Sequence, residues 1–86
     1  MIKQLIIPEP LKDKLKNKEN FPASIRKNFH WFYWCLDMLL KDEGHPLLKK
    51  RKIEGAPGYW EFTITLNCKG IYRREGDTAI LVAIIW

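Results

Sequence analysis

Eighty-six residues make one domain, 1–86, with no room for a second. Fifteen Lys and Arg against ten Asp and Glu leave a net charge of +5 on a chain that is 47% hydrophobic and 13% aromatic. That composition excludes a disordered tail and suits a polyanion or an acidic protein as partner.

The N-terminal apolar run, Ile2 to Ile7, is too short for a signal peptide and reads as a short strand stopped by Pro8 and Pro10. A short helix is expected from about Pro10 to Lys18, with Leu11 and Leu15 one turn apart and Lys12, Lys14, Lys16 and Lys18 on its wet surface. After a polar break from Asn17 to Asn20, Pro22 opens a second helix that runs to about Asp42 and is ended by Gly44 and Pro46. Ile25, Phe29, Phe32, Leu36 and Leu39 recur at spacings of four and three, which makes one stripe facing a sheet. Trp31, Trp34 and Met38 form a second stripe, to be covered either by the first helix or by a partner segment. His30 falls at a helix flank and His45 in a loop before proline, and neither spacing suggests a ligand set. Cys35 and Cys68 lack any C-x-x-C or Cys/His spacing, so zinc is not expected and reduced thiols in a cytoplasmic chain are.

Beyond Pro46 the pattern changes to a period of two. Lys49-Lys50-Arg51-Lys52 cannot share one face, because a strand sends Lys50 and Lys52 one way and Lys49 and Arg51 the other. Ala56-Pro57-Gly58 is a turn. Trp60, Phe62, Ile64 and Leu66 then fall on one side of a strand, with Tyr59, Glu61, Thr63, Thr65 and Asn67 on the other. Asn67 to Gly70 is expected to break the run, and Ile71-Tyr72-Arg73-Arg74 to resume it. Glu75-Gly76-Asp77 supplies a tight turn, and Thr78 to Trp86 reads as a strand covered on both faces. The expected architecture is α+β in the order β-α-α-β-β-β-β, with two N-terminal helices on one face of a small, mainly antiparallel sheet.

No Ser/His/Asp grouping, phosphate-cradling glycine loop or pair of carboxylates stands out. What remains is a concentration of cations on neighbouring strands: Lys50, Arg51 and Lys52, then Lys69, Arg73 and Arg74, with Tyr59 and Tyr72 interleaved. Placed on one open face, such residues would bind phosphates and stack on unpaired bases. The competing reading is a solvated basic sheet edge that suppresses aggregation.

The succession Pro46-Leu47-Leu48, Lys52-Ile53-Glu54-Gly55, Gly58-Tyr59-Trp60-Glu61-Phe62 and Asn67-Cys68-Lys69-Gly70-Ile71-Tyr72-Arg73-Arg74-Glu75-Gly76-Asp77 resembles the RelE/ParE toxin superfamily, its RelE/HigB branch most of all. The resemblance spans nearly the whole chain and rests more on the order of the motifs than on any one of them. It implies a bacterial toxin of a type II toxin–antitoxin pair, bound by a cognate antitoxin as a heterotetramer or forming a homodimer, with no membrane involvement. It also implies a metal-independent endoribonuclease without cofactors that cuts mRNA, free or on the ribosome, by attack of a ribose 2′-OH on the adjacent phosphate. Carried over, Lys50, Lys52, Lys69 and Arg73 become the catalytic candidates. Lys49, Arg51, Arg74, Tyr59 and Tyr72 become RNA contacts, and Trp31, Trp34 and Met38 a partner surface. The chain departs from the pattern at Cys68, where the family has tyrosine, and at Lys69, a point charge in place of an arginine fork. Glu61 and Thr63 stand where RelE carries arginines. The chain ends at Trp86, where HigB-like chains continue through a histidine-containing tail, so the expectation is a nuclease weakened or truncated at its C-terminus. Two alternatives share the fold: a ParE-like toxin that inhibits DNA gyrase, and a non-catalytic module that binds a partner or a second copy through the tryptophan stripe.

Overall fold

Period-two patterning and glycine turns build the C-terminal half into a sheet, and the apolar helical stripe closes over it. The computed structural model describes residues 2–17, 19, 21, 23–27 and 29–86, without the side chains of Ser24 and Ile25. The elements are β1 (Gln4–Ile6), α1 (Glu9–Lys16), α2 (Ala23–Arg26), α3 (Phe29–Lys41), a 3₁₀ turn (Pro46–Leu48), β2 (Arg51–Lys52), β3 (Tyr59–Thr65), β4 (Cys68–Glu75) and β5 (Thr78–Ile85). Their order in the sheet is β1-β5-β4-β3-β2, with β1 parallel to β5 and the other pairs antiparallel.

The helix expected from Pro22 to Asp42 is two helices, α2 and α3, with Lys27 in a turn after α2. The expectations for Lys18, Asn20, Pro22 and the side chain of Ile25 lie outside the described residues. Phe29, Phe32, Cys35, Leu36 and Leu39 are all buried, so the main stripe of α3 faces the sheet. Trp31, Trp34 and Met38 are partly buried and pack against the core. Tyr33 is the α3 residue on the α1 side, lining a hollow of about 260 Å³ with Ile7, Lys12 and Leu15. Trp31 and Trp34 stack on each other at 4.4 Å between centroids, and Trp34 meets His45 edge-on at 5.4 Å.

In the sheet, Phe62, Ile64, Cys68, Tyr72, Ala79, Leu81 and Ile84 join the helices in one core. The break between β3 and β4 is Leu66-Asn67, shorter than expected, and Leu66 is 91% exposed in the turn instead of buried with Phe62. Cys68 to Gly70 are strand residues. Gly70 belongs there because it stands opposite Phe62, whose ring would collide with a Cβ at that position. The expectation that β5 is covered on both faces is also corrected. Ile71 pairs with Ala83 but Tyr72 with Leu81, so Val82 is an extra residue that shifts the alternation. Leu81 and Ile84 then both face the core, while Val82 and Ile85 are about half exposed. The helices cover only one side of the sheet.

Both cysteines are free and fully buried. Burial pushes the Cys35 thiol up from 9.0 to about 11, with Cys68 adding to the shift, and burial alone pushes Cys68 up to about 11. Below pH 9 both thiols are protonated whether the chain is folded or not, and they contribute no pH dependence. Between pH 9 and 11 the unfolded chain releases protons that the folded chain retains, so stability falls, by up to about 1.4 kcal/mol per pH unit for each thiol. Urea midpoints should therefore drop steeply across that window, and a Cys35→Ser, Cys68→Ser variant should lose most of the drop. The native thiols should resist alkylation at pH 7.5.

Candidate functional site

Register decides which charges meet. On the open face, cross-strand rows run Arg51–Glu61–Ile71–Ala83, Tyr59–Arg73–Ile80 and Thr63–Lys69–Ile85. The rows begin polar on β2 and β3 and end apolar on β5, where Ile6 of β1 extends the apolar half beside Ile80. The open face therefore gathers Arg51, Lys69 and Arg73 with Tyr59, and two of the cations share one carboxylate. Glu61 Oε1 accepts from Arg51 Nε at 2.9 Å and lies 3.4 Å from Lys69 Nζ, and its side chain is 18% exposed. Arg73 Nη2 reaches Glu75 Oε1 at 3.0 Å.

Two hollows flank this cluster. One, of about 410 Å³, is lined by Arg51, Lys52, Ile53, Glu54 and Glu61. The other, of about 400 Å³, holds Lys49 and Lys69 among Trp31, Leu47, Thr63 and Leu66. Each has the volume of an ordinary small-ligand site. Glu61 lines the first and Lys69 the second, and their side chains meet at 3.4 Å. Lys49 reaches its hollow from a left-handed backbone conformation (φ 47°) that ends the 3₁₀ turn.

Lys50 and Arg74 are not on this face. Arg73 and Arg74 are consecutive in β4, so they point to opposite sides of the sheet. Arg74 Nη1 lies 2.8 Å from Glu43 Oε1, and Lys50 Nζ lies 3.2 Å from Glu43 Oε2. Tyr72 is fully buried on the helix side and its hydroxyl donates to Glu43 Oε2 at 2.9 Å. Burial, then the hydrogen bond to and charge of Glu43, push that hydroxyl well above its ordinary range, with Arg74 opposing. Lys50 and Lys52 sit over the Trp60 ring at 4.6 and 5.7 Å. The expectation of one surface carrying all six cations with both tyrosines is thus corrected: Tyr72 is a core residue that no base can reach. Lys50 and Arg74 hold the end of α3 against the sheet.

Sequence reasoning singled out neither carboxylate at the centre of these clusters. Glu61 was visible on the wet side of β3, but its position opposite Arg51 depends on strand register. Glu43 has no pattern to mark it. Among the described residues no group of His, Cys, Asp and Glu is arranged to hold a metal ion, and no helix is long and apolar enough to cross a membrane.

No protein-family model and no curated protein matches this sequence. Solved structures do match. The YoeB/ParE toxin from Agrobacterium tumefaciens superposes with a TM-score of 0.72 at 16% identity, over 96% of this chain and 97% of that one. The YoeB dimer from Staphylococcus aureus gives 0.70 at 10% identity, over 100% and 98%. The RelB–RelE antitoxin–toxin complex from Methanococcus jannaschii gives 0.65 at 21% identity, over 93% and 87%. The chain shares its fold with these YoeB/ParE and RelE toxins.

Proposed function

We propose that this chain is the toxin of a type II toxin–antitoxin pair and acts as an endoribonuclease on mRNA. The observation that carries the reading is the grouping of Arg51, Lys69 and Arg73 with Tyr59 on the uncovered side of the sheet, beside two hollows. Lysine and arginine at such a surface bind phosphates and stabilise the charge that builds on phosphorus as a 2′-oxygen attacks it. Tyr59, partly exposed on the same face, offers a base a ring to stack on. The fold shared with YoeB and RelE toxins supports the same reading. The cognate antitoxin docks on the Trp31–Trp34–Met38 flank, where Leu47 and Leu66 are exposed beside it.

Induced expression should stop growth, silence a translation reporter and leave mRNA fragments. Arg51→Ala with Lys69→Ala removes two exposed cations, which should abolish those effects. For single-stranded RNA it should lower the salt slope of binding by about 1.5, near 0.7 for each lost phosphate contact. Unchanged growth with intact mRNA would remove the nuclease reading, and inhibition of DNA gyrase without RNA cleavage would replace it.

A further inference from the structure

Resting on the nuclease reading above, we infer that Glu61 is the proton acceptor of the cleavage reaction. Both contacts to its carboxylate fall on one oxygen: Arg51 Nε and Lys69 Nζ address Oε1. Among the described residues no hydrogen bond or ion pair reaches Oε2, and no buried side-chain oxygen lacks a hydrogen-bond partner, so Oε2 keeps contact with solvent. One oxygen is thus anchored and the other presented. The side chain lines the hollow it shares with Arg51, and it touches Lys69, which lines the other hollow, so a strand threading both would cross it. A base must lie within hydrogen-bond reach of the proton it takes, and the cations that orient this one are those that would hold the adjacent phosphate.

The step balances without a further reactant. Glu61 Oε2 takes the proton of a ribose 2′-hydroxyl, and the 2′-oxygen forms a bond to phosphorus. The bond from phosphorus to the 5′-oxygen breaks, and that oxygen takes a proton from a water in the hollow. The hydroxide left behind is neutralised by the proton on Glu61, which restores the carboxylate. The products are a 2′,3′-cyclic phosphate and a 5′-hydroxyl.

The opposing role for Glu61 is a plain counter-ion that occupies phosphate-binding cations. Glu61→Gln separates the two, because the amide oxygen can still accept from Arg51 while the side chain can no longer take a proton. Cleavage of a defined single-stranded RNA, with and without ribosomes, should fall by about 10²–10⁴-fold in Glu61→Gln. The limb on which the wild-type rate rises with pH should disappear. Binding of the same RNA carrying 2′-deoxyribose should stay equal or tighten, and circular dichroism should match the wild type. A Glu61→Gln chain that cuts as fast as wild type, or faster with tighter binding, overturns this assignment and leaves the nuclease reading standing. A wild-type chain that binds RNA and cuts none at any pH overturns both.

Discussion

Glu43→Ala should lower the stability of the domain by about 3 kcal/mol, the low end of what removing one partner of a buried ion pair costs. The Glu43 side chain is 7% exposed and serves three groups on two segments: Lys50 before β2, and Tyr72 and Arg74 on β4. Without it, two cations and a buried hydroxyl face each other with no acceptor. The loss stays at the low end because Lys50 and Arg74 are 23% and 27% exposed, so water can solvate them in part. Against a total of about 5–15 kcal/mol for a small domain this is a large fraction, equivalent to a fall in Tm on the order of 10–20 °C. Tyr72→Phe removes only one hydrogen bond and should cost about 1 kcal/mol. Equilibrium urea unfolding of the two variants checks this; a Glu43→Ala midpoint no lower than that of Tyr72→Phe would show that the carboxylate does not organise the cluster.

Phe62 and Gly70 should behave as one unit. Phe62→Ala empties the centre of the core and should cost about 3–5 kcal/mol. Gly70→Ala would ordinarily stabilise a strand slightly by restricting the unfolded chain. Here its methyl group meets the Phe62 ring, which is itself buried on every side, so the substitution should cost about 1–3 kcal/mol. Once the ring is gone the methyl group has room. The double variant should therefore be no less stable than Phe62→Ala alone, a coupling of about 1–3 kcal/mol in a double-mutant cycle. Additive losses would mean that the ring does not lie across the glycine.

The strand side chains show how far local pattern reaches. Trp60, Phe62 and Ile64 against Tyr59, Glu61 and Thr63 separate by alternation alone, and the structure keeps that division. The buried stripe of α3 from Phe29 to Leu39, the Gly76 turn and the α+β order follow from spacing and turn chemistry in the same way. Leu66 shows where the pattern fails. It continues the apolar alternation, yet the hairpin turns one residue earlier and leaves it in solvent. Val82 is similar, because a bulge visible only against β4 shifts every residue after it.

The sequence by itself determined which residues can be strand, helix and turn, and that a basic chain would carry cations on adjacent strands. Those are properties of neighbours along the chain. Only the tertiary structure decided that β1 lies parallel to β5, and that Glu61 stands between Arg51 and Lys69 while Glu43 gathers Lys50, Tyr72 and Arg74. Which acid meets which base is fixed by register between strands and by where a helix ends over the sheet. Those depend on hydrogen bonds and packing between residues 8 to 31 positions apart, such as Glu61 with Lys69 and Glu43 with Arg74, and no local pattern encodes them.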